Sequence, residues 1–208
     1  MPVHQPSKRP PGRPTSNLTD SAATRQLILQ TAMQLFQVHD YADVPMSSIA
    51  AAAGLTKATL YYHFSSKSEV LAAATLVSLE GVYDTIQRIF DQSDRSVRER
   101  LTQLLEARRQ YIALISASQT MIHNTHGHLN AIQQDAVEKA LQRTVDQFTL
   151  LMQDGIQHGE LKAFDPLWLT HIFQHMMNAA ASIKVSATDQ RALDEMLLSV
   201  FFEGAGQK

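Results

Sequence analysis

From Asp20 onward the chain repeats its apolar residues at the spacing of a helix and nowhere at the alternation of a strand. Ile28, Ala32, Leu35 and Phe36 fall at i, i+4, i+7 and i+8. That stripe predicts a first helix over 21–38, with Asp20 or Ser21 able to cap it. His39, Asp40 and Tyr41 interrupt it. Pro45 suits a first helical position, where a missing N–H leaves nothing unpaired, and the second helix it opens should span Met46 to Ala53. Gly54 follows as a left-handed stop. Thr56 is a good N-cap for a third helix of only two turns, 57–63. Ser66 and Glu69 form an S-x-x-E capping box that opens a longer helix over 66–90. The same period marks helices over 97–118, 131–158, 166–183 and 188–202, with an irregular stretch over 121–129. No segment rich in Val, Ile and Thr alternates, so the expected fold class is all-α.

Two short helices around a glycine turn, 46–64, read as a helix-turn-helix. Ile49, Ala50 and Ala53 give a small apolar face that lets two helices cross closely, and Leu55 and Leu60 fill the same core from the other side. Thr56, Lys57, Ala58, Thr59, Tyr61, Tyr62 and His63 are left outside. Such a polar, aromatic and singly basic surface fits a major groove, its hydroxyls and Lys57 reaching phosphates and base edges. An ordinary pair of core helices has the same spacing.

Composition narrows the choice. The 208 residues include no Cys, which excludes a disulfide scaffold, thiol catalysis and Cys-ligated zinc. No run approaches the roughly 18 consecutive apolar residues of a membrane span. The N-terminus is basic and Pro-rich without an apolar run, so no secretory signal is expected and the cytoplasm is the expected compartment. The net charge of −2 hides an asymmetry: residues 1–68 carry +3 and the remainder −5. A basic end on an acidic body points to a polyanion partner at that end. Residues 1–19 hold five of the seven prolines and almost nothing apolar. The expected organisation is a flexible basic arm, 1–19, a helix-turn-helix domain, 20–66, and a helical body, 67–208.

The block Ile49 to Phe64, I-A-A-A-A-G-L-T-K-A-T-L-Y-Y-H-F, followed by S-S-K-S-E-V-L, resembles the signature of the tetracycline-repressor (TetR) family. The resemblance runs over about Thr24 to Val70. It implies an N-terminal three-helix domain whose second and third helices form the helix-turn-helix. It also implies a helical body that dimerises and binds a small-molecule effector, and repression that the effector relieves. Thr56 matches a capping and phosphate-contact position. Lys57, Ala58 and Thr59 match the positions nearest base edges, and Tyr61, Tyr62 and His63 an aromatic phosphate-contact segment. Lys67 matches a basic residue that touches backbone phosphate. Val44 stands where the family has a capping Thr or Ser, so Pro45 must define the start of the second helix. Ala58 stands where relatives often have Gly, and its methyl could meet a thymine methyl. In the arm, Lys8 to Pro14 partly resembles a minor-groove hook. Arg13 either enters an A·T-rich minor groove or belongs to a solvated basic tail.

In the body, 166–183 has no formal charge between Asp165 and Lys184. Its apolar half includes Trp168, Leu169, Ile172, Phe173, Met176 and Met177. Its other half is neutral and polar: Thr170, His171, Gln174, Asn178 and Ser182. A neutral polar face suggests burial in a subunit interface or along a cavity. The helices over 166–183, 188–202 and 131–158 are the candidates for the dimer bundle. Candidate pocket residues are Tyr111, Met121, Phe148, Met152, Trp168, Phe173 and Met177, with core packing the plainer reading for each. Arg108 and Arg109 either meet an acidic effector or decorate an exposed helix face. His123, His126 and His128 cluster, and His171 and His175 stand at i, i+4. Both spacings suit a metal, but no H-E-x-x-H or nearby carboxylate accompanies them, so no metal or other cofactor is expected. No nucleophile elbow, phosphate-binding glycine loop or acid–base pair is present, so an enzyme is not expected. A metal hydrolase and a helical adaptor without DNA are the rival readings. The expected partners are a palindromic double-stranded operator, a small-molecule effector and a second copy of the chain.

Overall fold

The computed structural model describes residues 18–109, 126–183 and 185–206, and over these the regular structure is helical. Its helices are α1 (Leu18–Val38), α2 (Met46–Ala52), α3 (Lys57–His63), α4 (Lys67–Phe90), α5 (described over 97–109), α6 (Ala131–Gln157), α7 (Pro166–Ser182) and α8 (Ala187–Ala205). Single 3-10 turns stand at Tyr41–Asp43 and His126–His128. Arg13, Tyr111, Met121 and His123 lie outside the described residues.

Helix ends follow from local chemistry. Ser66 caps α4 by accepting from the Glu69 N–H at 3.2 Å. The expected box closes one residue early, because the Glu69 carboxylate takes the N–H and hydroxyl of Ser65, at 2.7 and 2.8 Å, instead of the Ser66 N–H. A complete capping box opens α6, where Asn130 and Gln133 exchange bonds of 2.9 and 3.0 Å. Asp165 caps α7, with Pro166 just inside. α1 starts earlier than expected, at Leu18, so Asp20 and Ser21 are within it and not its caps.

Two buried clusters form the interior. The first joins Ile28, Ala32 and Phe36 of α1, Ile49 and Ala50 of α2, Leu60 of α3, Phe64, and Val70, Leu71, Ala74 and Leu79 of α4. Leu129, just ahead of α6, and Val137 of α6 belong to it too. The second joins Ile86, Ile89 and Phe90 of α4 to α5, α6, α7 and α8. Here Phe90 meets Phe148 edge-on at 5.0 Å, Phe148 lies 6.2 Å from Phe173, and Phe173 meets Phe201 at 5.1 Å. The two cores therefore share α4, whose first half serves one and second half the other, while α6 lies along it.

Arg108 and Arg109 of α5 are not on an exposed face. Arg108 is buried and donates to the Met177 carbonyl of α7 at 2.5 Å. Burial lowers its pKa, and nearby Asp194 opposes that shift. Arg109 pairs with buried Asp194 of α8 at 2.5 Å, and Gln190 donates to the same carboxylate at 3.2 Å. These contacts tie α5 to α7 and α8. Spacing on one helix gives no sign of them, because both acceptors come from more than 60 residues away.

Candidate nucleic-acid interface

The helix-turn-helix is built by three local devices. Pro45 stands at the N-cap of α2 in extended conformation, not at the first helical position, and its carbonyl accepts from Ser48 and Ile49 at 3.0 and 3.4 Å. No side chain caps that end. At the other end Gly54 takes φ +67°. The Leu55 N–H then reaches the Ala50 carbonyl at 2.8 Å and the Gly54 N–H reaches Ala51 at 3.1 Å, the paired bonds of a Schellman stop. Thr56 starts α3, its hydroxyl accepting the Thr59 N–H at 3.1 Å. The Thr56 and Thr59 hydroxyls also bond each other at 2.8 Å.

Burial then decides which side of α3 is presented. Leu60 and Phe64 point inward with essentially no exposure. Lys57 and Ala58 are exposed, Tyr61 is 53% and Tyr62 81% exposed, and Thr59 and His63 are half-buried. Two large aromatic rings are thus left uncovered on one short helix. Tyr62 and His63 meet edge-on at 5.2 Å.

Beside this face lies an open cleft of about 240 Å³ lined by Pro45, Met46, Ser47, Lys57, Tyr61 and Lys67. Two ammonium groups and a phenol thus converge at the start of α2. Lys67, however, is not simply held out to solvent. Its Nζ donates to the carbonyls of Tyr41 and Ala42 at 2.6 and 3.4 Å and sits 4.1 Å from the Tyr41 ring centroid. Burial raises the Tyr41 pKa. Tyr41 reads in the sequence only as the interruption after the first helix. Its role depends on a residue 26 positions away, which no local spacing reveals.

The pocket candidates separate. Phe148, Met152 and Phe173 are closed inside the second core, and Met177 is half-buried beside it. Trp168 is 67% exposed on the outer face of α7, so its place in an internal pocket is corrected. The face of α7 is also distributed differently from expectation. Neutral Thr170 is wholly buried and bonds the Thr149 hydroxyl of α6 at 3.3 Å, whereas apolar Ile172 is exposed. Among the described residues, no three His, Cys, Asp or Glu side chains form a metal-binding group. His171 and His175 lie 6.5 Å apart, ring to ring, both exposed. Among the described residues no helix is long and apolar enough to cross a membrane.

Residues 28–74 match the model of the bacterial regulatory proteins of the tetR family. This segment is a TetR-family DNA-binding domain. The chain is 37% identical over 54 residues to the HTH-type transcriptional regulator SrpR of Pseudomonas putida, covering 26% of this chain and 25% of that one. It is 36% identical over 80 residues to the nucleoid occlusion factor SlmA of Marinobacter nauticus, 38% of this chain and 40% of that one. The matched segments thus span two fifths or less of these relatives' own length. The likeness in fold extends further than the sequence match. A regulator from Saccharomonospora viridis solved with choline superposes with a TM-score of 0.73 at 22% identity, over 90% of this chain and all of that one.

Proposed function

We propose that this chain is a dimeric, sequence-specific DNA-binding transcriptional repressor of the TetR family, released from its operator by a small-molecule effector and acting in the cytoplasm. The observation that carries the DNA reading is the exposed face of α3, with Lys57, Tyr61 and Tyr62 uncovered beside a cleft that also holds Lys67. Ammonium groups and phenols bind phosphate oxygens and fix register. Lys57, Ala58 and Thr59, on the first turn of α3, are the ones placed to meet base edges. Thr56 acts chiefly as the cap that holds this turn in shape.

A helix of seven residues reads few bases. Specificity then needs two copies on a symmetric site, with half-sites about 34–36 Å apart or a multiple of that. The large apolar side chains left exposed on the last two helices support a dimer: Trp168 and Ile172 on α7, Met196 and Val200 on α8. A second copy laid over them would remove that surface from water. The effector site is assigned to the second core, where Phe148, Met152, Phe173 and Met177 contribute the apolar wall. The choline-bound structure of similar fold supports a ligand in such a body. An effector need only prefer a dimer whose recognition helices are wrongly spaced.

Fluorescence anisotropy with a labelled duplex tests the DNA reading. Wild type should bind at low salt, and Lys57→Ala and Tyr62→Ala should weaken binding without lowering the melting temperature. Wild type that binds no duplex at 50 mM salt would reject the reading. For the dimer, Trp168→Glu with Ile172→Glu should sediment as a folded monomer; a double variant that stays dimeric places the interface elsewhere.

A further inference from the structure

Three side chains converge at Tyr41, in the turn between α1 and α2. Phe36 lies 5.5 Å away, ring to ring, and the Lys67 ammonium lies 4.1 Å from the ring centroid. The backbone carbonyl of Tyr41 accepts from that ammonium at 2.6 Å. The third comes from far along the chain: His128 stacks on the Tyr41 ring at 4.4 Å, with 25° between the planes. His128 ends the turn His126–His128 and is followed by Leu129, which is buried in the first core together with Val137 of α6. The body therefore grips the DNA-binding domain directly at Tyr41, apart from the covalent path through α4.

Lys67 is also a wall of the cleft that holds Lys57 and Tyr61. An ammonium has three N–H donors, and the described contacts use two of them on the carbonyls of Tyr41 and Ala42. A long flexible lysine so tethered has one donor left and little rotamer freedom to lose when a phosphate arrives. Without the tether the side chain would sample solvent, and its contribution to phosphate binding would fall.

We propose that Tyr41 is a positioning residue for the Lys67–phosphate contact, and that His128 is the body's hold on Tyr41. This rests on the reading of the α3 face as DNA-binding and adds to it a route of control. A shift of the segment ahead of α6 withdraws the stacked imidazole, loosens Tyr41 and frees Lys67 from the cleft. It needs no movement of α3 itself.

The test uses the full chain and a 20-base-pair duplex of arbitrary sequence, titrated by anisotropy between 50 and 200 mM salt, so neither operator nor effector need be known. Removing one phosphate contact lowers the slope of log K against log salt by about 0.9. That makes Lys67→Ala about 3–4-fold less sensitive to this change in salt. His128→Ala should lower the slope by the same amount, and the double variant should show no further loss. His128→Phe, which keeps a flat ring on Tyr41, should restore the wild-type slope. A merely structural His128 would change the melting temperature and leave the slope alone. An unchanged slope in His128→Ala or in Lys67→Ala, additive losses in the double variant, or failure of His128→Phe to rescue would each overturn the proposal. Wild type that binds no duplex would instead overturn the underlying DNA reading.

Discussion

Gly54→Ala probes the turn that sets α3 against α2. The residue takes φ +67°, a conformation that costs an L-residue with a Cβ roughly 1–2 kcal/mol. A Cβ added there would meet nothing within 4 Å, so no steric penalty from neighbours is expected. Alanine also narrows the unfolded ensemble, which returns about 0.4–1 kcal/mol. The net loss should be about 1 kcal/mol, or about 2–4 °C in melting temperature for a chain of this size. Gly54→Asn should lose less, because asparagine tolerates the left-handed region. Gly81 supplies the control of opposite sign. It lies inside α4 with a negative φ and open space around it, so Gly81→Ala should gain up to about 1 kcal/mol from helix propensity. Thermal and urea unfolding followed by circular dichroism read all three variants. A Gly54→Ala protein as stable as wild type, or one that loses more than about 3 kcal/mol, would refute the assignment of the cost to backbone conformation.

Other positions give independent checks. Asp194→Asn removes the buried carboxylate that faces Arg109 and lies near Arg108. It should cost about 2–3 kcal/mol in urea unfolding, because two cations then lose their counter-charge, although Arg109 keeps Glu106 at 3.6 Å. No change would mean that the pair is solvated. Phe173→Ala leaves a hole between Phe148 and Phe201 and should cost about 3–5 kcal/mol, a loss under 1 kcal/mol meaning that the site is loosely packed or collapses freely. Glu69 has a lowered pKa, through the Ser65 hydroxyl first, then the Ser65 N–H, then Arg25. A carboxylate with a depressed folded pKa stabilises above its unfolded value, 4.5, and loses that contribution as pH falls through the folded one. The advantage of wild type over Glu69→Gln should therefore hold at pH 7 and shrink below pH 4.5; an advantage that stays constant down to pH 2 would contradict the assigned bonds.

Much of the fold is legible because helical signals are local. The bounds of α3 coincide with the expected 57–63, and α2, α4, α6 and α7 differ by a residue at an end, since Thr56, Ser66, Asn130 and Asp165 act on the backbone within three residues of themselves. The exposed face of α3 is legible for the same reason: Leu60 and Phe64 define the inside, and the rest follows. What depends on distant pairing is not. Arg108 and Arg109 look like surface charges until α7 and α8 supply their partners. Trp168 looks like pocket lining because apolar residues on half a wheel cannot say which of them the protomer itself covers. Tyr41 has no motif at all, since its neighbours Lys67 and His128 are 26 and 87 positions away.

The central claim is that two copies of the α3 face read a symmetric DNA site. Selection of bound duplexes from a random-sequence library by the full chain, followed by sequencing, tests it most directly. The account predicts enrichment of a twofold-symmetric sequence whose half-site centres lie about 34–36 Å apart or a multiple of that, and loss of enrichment with Lys57→Ala and Tyr62→Ala together. No enrichment, or a single asymmetric motif retained by that double variant, would contradict it.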